Sequence, residues 1–262
     1  MWGALLPRDS NSKAKEAAQK ALAIDGNLGE AHATLAHLHF LYDWDWARAQ
    51  EEFNRALELS PRSSNVHLQY AIYLAAMGRD SAAIEQIRTA HELDPISHST
   101  NTILGYVYLL VRRYDEAIEQ IRKTLALYPE SSIEHYNLGM CYEHKGMFSE
   151  AVEEFLKSDE GEGASKADLA TRRRAFLRSG IQGFWREELK SSISDSKHGY
   201  VAPGLLAGLY ALLGEKDPAF ENLEQAYKER DNIGLIRVEP ELDNLHSDPR
   251  FADLLRRMGL PQ

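Results

Sequence analysis

Cysteine is nearly missing: Cys141 stands alone in 262 residues, so no internal disulfide can staple the chain, and a reducing cytoplasm is the expected setting. Long hydrophobic runs are missing too. The most apolar stretches, residues 105–111 and 205–213, fall far short of the roughly 20 residues that span a bilayer. Residues 1–8 lack a basic region followed by an apolar core, so no signal peptide is read. Positive charge is in deficit, 30 Lys and Arg against 40 Asp and Glu for a net −10, which argues against a broad nucleic-acid or anionic-membrane footprint. Strand-length runs of Val, Ile and Thr are scarce, whereas Ala and Leu recur throughout, and this favours helix.

Chemical motifs are equally thin. No Gly-x-Ser-x-Gly elbow and no His-Glu-x-x-His pair occurs, and Cys141 sits inside an apolar helical pattern as a small core residue would. His32, His67 and His135 hold equivalent places along the chain, so they cannot converge on one ion and read as structural. Gly161-Glu162-Gly163-Ala164-Ser165-Lys166 has neither the spacing of a phosphate loop nor a preceding strand. No catalytic residue, metal site or cofactor is expected.

What the chain does have is a period. Pro61, Pro95 and Pro129 lie 34 residues apart; so do Ala49, Ala83, Ala117 and Ala151, with Ala219 two periods on. Gly78, Gly146, Gly180 and Gly214 keep the same frame, with Arg112 in the vacant place. Each residue type has a mechanical job. Glycine ends a first helix at positive φ, alanine lets the second helix come close, and proline stops that helix. Between the markers, apolar residues such as Ala83, Ile84, Ile87, Ala90 and Leu93 follow helical spacing. The unit is a helical hairpin.

Leu138-Gly139, Tyr142, Gly146, Ala151 and Phe155, repeated as Leu104-Gly105, Tyr108 and Ala117 and again as Leu206-Ala207, Tyr210, Gly214 and Ala219, resemble the tetratricopeptide-repeat (TPR) signature. The resemblance implies an all-α superhelical solenoid of about six hairpins spanning 1–262. Residues 13–158 would be regular, 159–198 divergent, 199–231 regular, and 232–262 a C-terminal cap. Residues 13–25 resemble the second helix of a repeat that would begin upstream, so the chain reads as a fragment of something longer. The Asp43-Trp44-Asp45-Trp46 turn, with Ser247-Asp248-Pro249-Arg250-Phe251 and Gly259-Leu260-Pro261, is similar to the TPR region of multidomain bacterial regulators.

Three departures stand out. The first full repeat carries one extra residue near 42–46; residues 158–163 read as a polar, glycine-rich loop; and Trp185 replaces the expected alanine beside a basic run at Arg172, Arg173 and Arg174. In the tail, Phe251, Leu254, Leu255 and Met258 share one face of a capping helix over the last repeat.

The resemblance implies a concave groove lined by first helices. Its wall would be Asn65, Leu68, Ile72, Thr102, Tyr106, Leu109, Tyr136, Met140 and Glu143, with Arg174 and Arg178 forming a basic end. Leu68 with Ile72, and Thr102 with Tyr106, stand where a carboxylate clamp for chaperone tails would place lysine and asparagine, so that ligand is disfavoured. The expected function is a non-catalytic protein-interaction scaffold holding a helix or extended peptide, with no nucleic acid and no membrane as partner. The alternative is a sensor domain with a small molecule or peptide in the groove. Self-association through uncovered apolar surface near residues 14–25 is a further outcome the pattern allows.

Overall fold

The structure, a computed structural model, describes residues 7–196, 199–231 and 233–260. The readings made at residues 1–6 and at Pro261 lie outside them. Helix α1 (Pro7–Ile24) leads into the hairpins α2/α3 (Gly29–Leu38, Trp46–Leu59), α4/α5 (Ser64–Ala76, Asp80–Leu93), α6/α7 (His98–Leu110, Tyr114–Leu127) and α8/α9 (Ser132–His144, Phe148–Gly161). A long α10 (Lys166–Asp195) precedes α11/α12 (Pro203–Leu212, Lys216–Glu229), a 3-10 turn (Pro240–Leu245) and α13 (Pro249–Arg257). No strand occurs among the described residues, and the all-α solenoid holds.

The period is written in the backbone. Trp44, Gly78, Arg112, Gly146, Gly180 and Gly214, each 34 residues after the last, all have positive φ, from 54° to 75°. Each closes a first helix and starts the return, which requires a left-handed residue. At Gly180 this happens within α10, whose two arms meet at a break formed by Ser179 and Gly180, so α10 is itself a hairpin. The alanines at 49, 83, 117, 151 and 219 are all fully buried, as close helix approach demands. The extra residue of the first repeat is absorbed as one π-helical turn, His39–Asp43, which keeps Trp44 in frame.

The loop expected at 158–163 is shorter than the sequence suggests. α9 runs through Gly161, and its end is held by Arg172, which is 7% exposed and pairs with Asp159 and with Glu188 at 2.7 and 2.9 Å. Paired in this way, the acidic stretch can stay helical. Trp185, in place of alanine, is buried against Phe155 and Phe184 and donates to Glu143 at 2.9 Å.

Equivalent polar positions brace each hairpin. His32, His67 and His135 each reach back to the carbonyl six residues earlier, at Gly26, Pro61 and Pro129. The other ring nitrogen meets Glu52, Gln86 and Glu154 respectively on the second helix. In the intervening repeat Asn101 does the same, donating to the Pro95 carbonyl and accepting from Gln120. These side chains are turn braces. Cys141 is fully buried and its thiol is pushed up to about 12 by burial, so it is unreactive.

Candidate functional site

The tail does more than cap the last repeat. α13 lies along α12, with Arg250 over the Phe220 ring and Arg257 over Tyr227, and its Phe251, Leu254, Leu255 and Met258 are buried. At its far end the Met258 carbonyl accepts from Trp46 Nε1 at 2.6 Å, so the same helix touches the first repeat. Trp44 stacks on Tyr227 with ring centres 5.1 Å apart, and the Arg230 guanidinium covers the Trp44 ring. The superhelix thus comes full circle, and its two ends meet.

Between α12 and α13 the chain enters the hollow. Gly234 lies against Phe40 and Leu41 so tightly that a Cβ there would come within 3.0 Å of the Leu41 side chain. Arg237 presses on Gly78, where a Cβ would fall 2.4 Å from the guanidinium. Arg112 donates to the Val238 carbonyl at 2.7 Å and forms a two-pronged ion pair with Asp243. Tyr106 donates to Glu239 at 2.9 Å and Tyr136 to Glu241 at 2.8 Å. Residues 234–243 therefore follow the ladder of left-handed turns and meet the wall that the sequence marks as a groove.

The expectation of an exposed inner wall needs correction at its centre. Leu68, Ile72, Thr102, Leu109 and Met140 are buried, and Met140 has no exposure at all. Tyr106 and Tyr136 are partly buried with their hydroxyls engaged. Thr102 donates to Glu134 on α8 rather than facing solvent. Glu143 is partly buried beneath Trp185. Only Asn65, Arg174 and Arg178 of the expected set are exposed. At Tyr106 and Tyr136 the physical reason is occupancy, since the chain's own segment runs where a partner peptide was expected; at Thr102 it is the neighbouring repeat.

Missed by sequence reasoning are Arg112 as a working side chain, Trp44 as a left-handed residue, and the acidic stretch Glu239, Glu241 and Asp243. The frame did contain a signal, because 44 and 112 are the two places where glycine is replaced, and both replacements hold the returning chain. A non-glycine residue there costs roughly 1 kcal/mol or more, a strain offset by these contacts.

Electrostatically the centre of the hollow is unusual. Burial raises the Glu239 and Glu241 carboxyls above the ordinary range, and at Glu239 the neighbouring Glu241 charge adds to the effect. Burial also lifts Glu143 to about 7. One oxygen of Glu241 and one of Glu143 are buried without a hydrogen-bond partner. A cavity of about 300 Å³ adjoins Glu239 and Glu241, walled by α11, α12 and the inserted segment. Among the described residues no three metal-ligating side chains converge, and no helix is long and apolar enough to cross a membrane.

A closed stack of helical hairpins with a peptide-like segment along its inner wall defines a helical-repeat binding solenoid. Residues 104–165 match the family model described as tetratricopeptide repeat. That stretch is tetratricopeptide repeat, and the 34-residue frame it belongs to runs on through the hairpins on either side. Among solved structures it is similar to PilW, titled a type IV pilus biogenesis factor, at 17% identity, 90% of this chain and 91% of that one, with TM-score 0.55. It is similar to Pseudomonas aeruginosa PilF at 20% identity, 92% and 91% coverage and TM-score 0.52. A thermophilic TPR protein of Thermus thermophilus, TTC0263, matches at 20% identity over 64% of this chain and 90% of that one, with TM-score 0.52. These likenesses establish the fold. No curated protein matches the chain in sequence.

Proposed function

We propose that this protein is a non-catalytic protein-interaction scaffold whose concave wall binds short acidic and apolar segments, its own residues 234–246 holding the place in the free state. The observation that carries this reading is the set of three contacts Tyr106–Glu239, Tyr136–Glu241 and Arg112–Asp243. Together they describe a wall that offers hydroxyl and guanidinium donors to acidic side chains on alternate residues of a turned segment. A partner would displace the tail segment or begin at the exposed basic end, Arg174 and Arg178. A cytoplasmic setting goes with this reading, since the single thiol needs no oxidising compartment. The wider setting, a bacterial signalling or transcriptional regulator, is proposed from the sequence resemblance alone.

The test uses a labelled peptide with the sequence of residues 235–246 and a chain carrying Glu239→Ala and Asp243→Ala, which weakens the in-cis contact. Fluorescence anisotropy should show saturable capture by the variant and much weaker capture by the native chain. Equal failure of both, with helicity intact, would remove the wall as a binding surface.

A second reading, a sensor that holds a small molecule, is favoured by the cavity beside Tyr136, Glu239 and Glu241.

A further inference from the structure

The cavity has a shape and a polarity that narrow its ligand. Its walls are aliphatic: Leu209 and Leu212 of α11 face Ile233, Ile236 and Leu242 of the inserted segment. One end is polar, closed by Tyr136 with the Glu239 and Glu241 side chains. Two glycines one turn apart on α11 leave the space open. A Cβ at Gly204 would press on Asp231 and Ile233 at 3.1 and 3.2 Å, and one at Gly208 would meet the Glu241 side chain at 3.6 Å. Leu205, 55% exposed, marks the mouth.

Among the described residues no cationic side chain lines this space. The guanidinium of Arg112, which meets the same segment, is already engaged by Asp243 and two carbonyls. Tyr136 satisfies one Glu241 oxygen and leaves the other buried and without a partner. Two carboxyls at the end of an aliphatic slot, on which Arg112 acts only from a distance, ask for one cationic nitrogen on an apolar body. A metal ion is a poor fit, since it would need further ligands that do not converge here.

We propose that this cavity binds an alkylammonium group, its chain lying between α11 and the inserted segment and its nitrogen meeting Glu239 and Glu241. The shared chemistry could come from a free aliphatic amine or from a lysine side chain entering past Leu205. Burial and mutual repulsion let the pair hold a proton near neutrality, and an arriving ammonium takes over that role and releases proton in part. The inference deepens the sensor reading by naming its ligand class. It is separable from peptide capture on the wall, which is read by a different probe.

The experiment is calorimetric titration of the full chain at pH 7.5 with n-pentylamine, 1-pentanol, pentanoate and Nα-acetyl-lysine methylamide, in two buffers of different ionisation enthalpy. Pentylamine should bind, with a buffer-dependent heat that reports proton release, while pentanol and pentanoate should bind at least about tenfold more weakly. Binding of the lysine derivative as tightly as pentylamine identifies a lysine side chain as the natural occupant; binding of pentylamine alone identifies a free amine. Glu241→Gln should lower pentylamine affinity by about tenfold or more. Gly208→Leu, which fills the slot beside the Glu241 side chain, should abolish binding while helicity is retained. Pentanol binding as well as pentylamine, no binding of either amine, or full affinity in the folded Gly208→Leu chain would each overturn the proposal.

Discussion

Arg112 and Asp243, 131 residues apart in the chain, meet as a two-pronged ion pair across the hollow of the superhelix. Arg112 does this from a left-handed backbone position, φ 61°, that glycine occupies in the following repeats. A residue with a costly backbone is held where its side chain is needed. That trade can be measured.

Arg112→Ala should loosen residues 234–246 and lower stability by about 1–3 kcal/mol, because a partly buried carboxylate and a carbonyl lose their donor. Arg112→Gly loses the same contacts but relieves the backbone, so it should be less destabilising than Arg112→Ala by about 1 kcal/mol. Chemical denaturation compares the two, and hydrogen exchange of the 234–246 amides reports the loosening. Equal stability of the two variants would mean the left-handed turn is not strained.

Trp46 closes the ring through its bond to the Met258 carbonyl at 2.6 Å. Trp46→Phe keeps most of the packing and removes the donor, at a cost of about 1–2 kcal/mol. Exchange should quicken selectively in α13, where the contact is made, and leave α4 to α9 unchanged.

Stability should fall as pH rises through neutrality. The Glu143 and Glu239 carboxyls are raised from 4.5 to about 7 and about 8 by burial first. Between about 4.5 and 8 the native state holds protons that the unfolded chain has lost, so their contribution is whole below about 4.5 and is lost on approach to 8. The decline is of the order of a few kcal/mol at most. Melting temperature followed from pH 5 to 8.5 should drop, and Glu239→Gln should flatten the curve. A rising curve in that window contradicts the assignment.

The turn braces make a paired prediction. His135→Leu strands the Pro129 carbonyl and Glu154 and should cost about 1–3 kcal/mol. His135→Asn should cost clearly less, because Asn101 already reaches the equivalent Pro95 carbonyl in the neighbouring repeat. Thermal melts of the two variants suffice.

Gly139→Ala tests hairpin packing. The added Cβ would lie 2.5 Å from the Phe155 ring, and overpacking of this kind costs about 1–3 kcal/mol. Gly146→Ala has open space instead but φ 73°, so its cost is backbone strain alone. The first variant should be partly rescued by Phe155→Leu, the second not.

Much of the architecture is legible in the residues alone, and the reason is locality. A repeat writes its structure in contacts between neighbours, so glycine, alanine and proline every 34 residues suffice to define hairpins, turns and close helix pairs. The same locality explains what stayed hidden. Whether Trp46 meets Met258, or Tyr106 meets Glu239, depends on rotation accumulated over six hairpins and on a stretch after Arg230 that belongs to no repeat. Periodicity carries no information about such distant encounters. Folding in three dimensions brought the ends together and laid the acidic segment on the inner wall, because the curved stack leaves apolar surface and unpaired donors there that a turned acidic segment can satisfy.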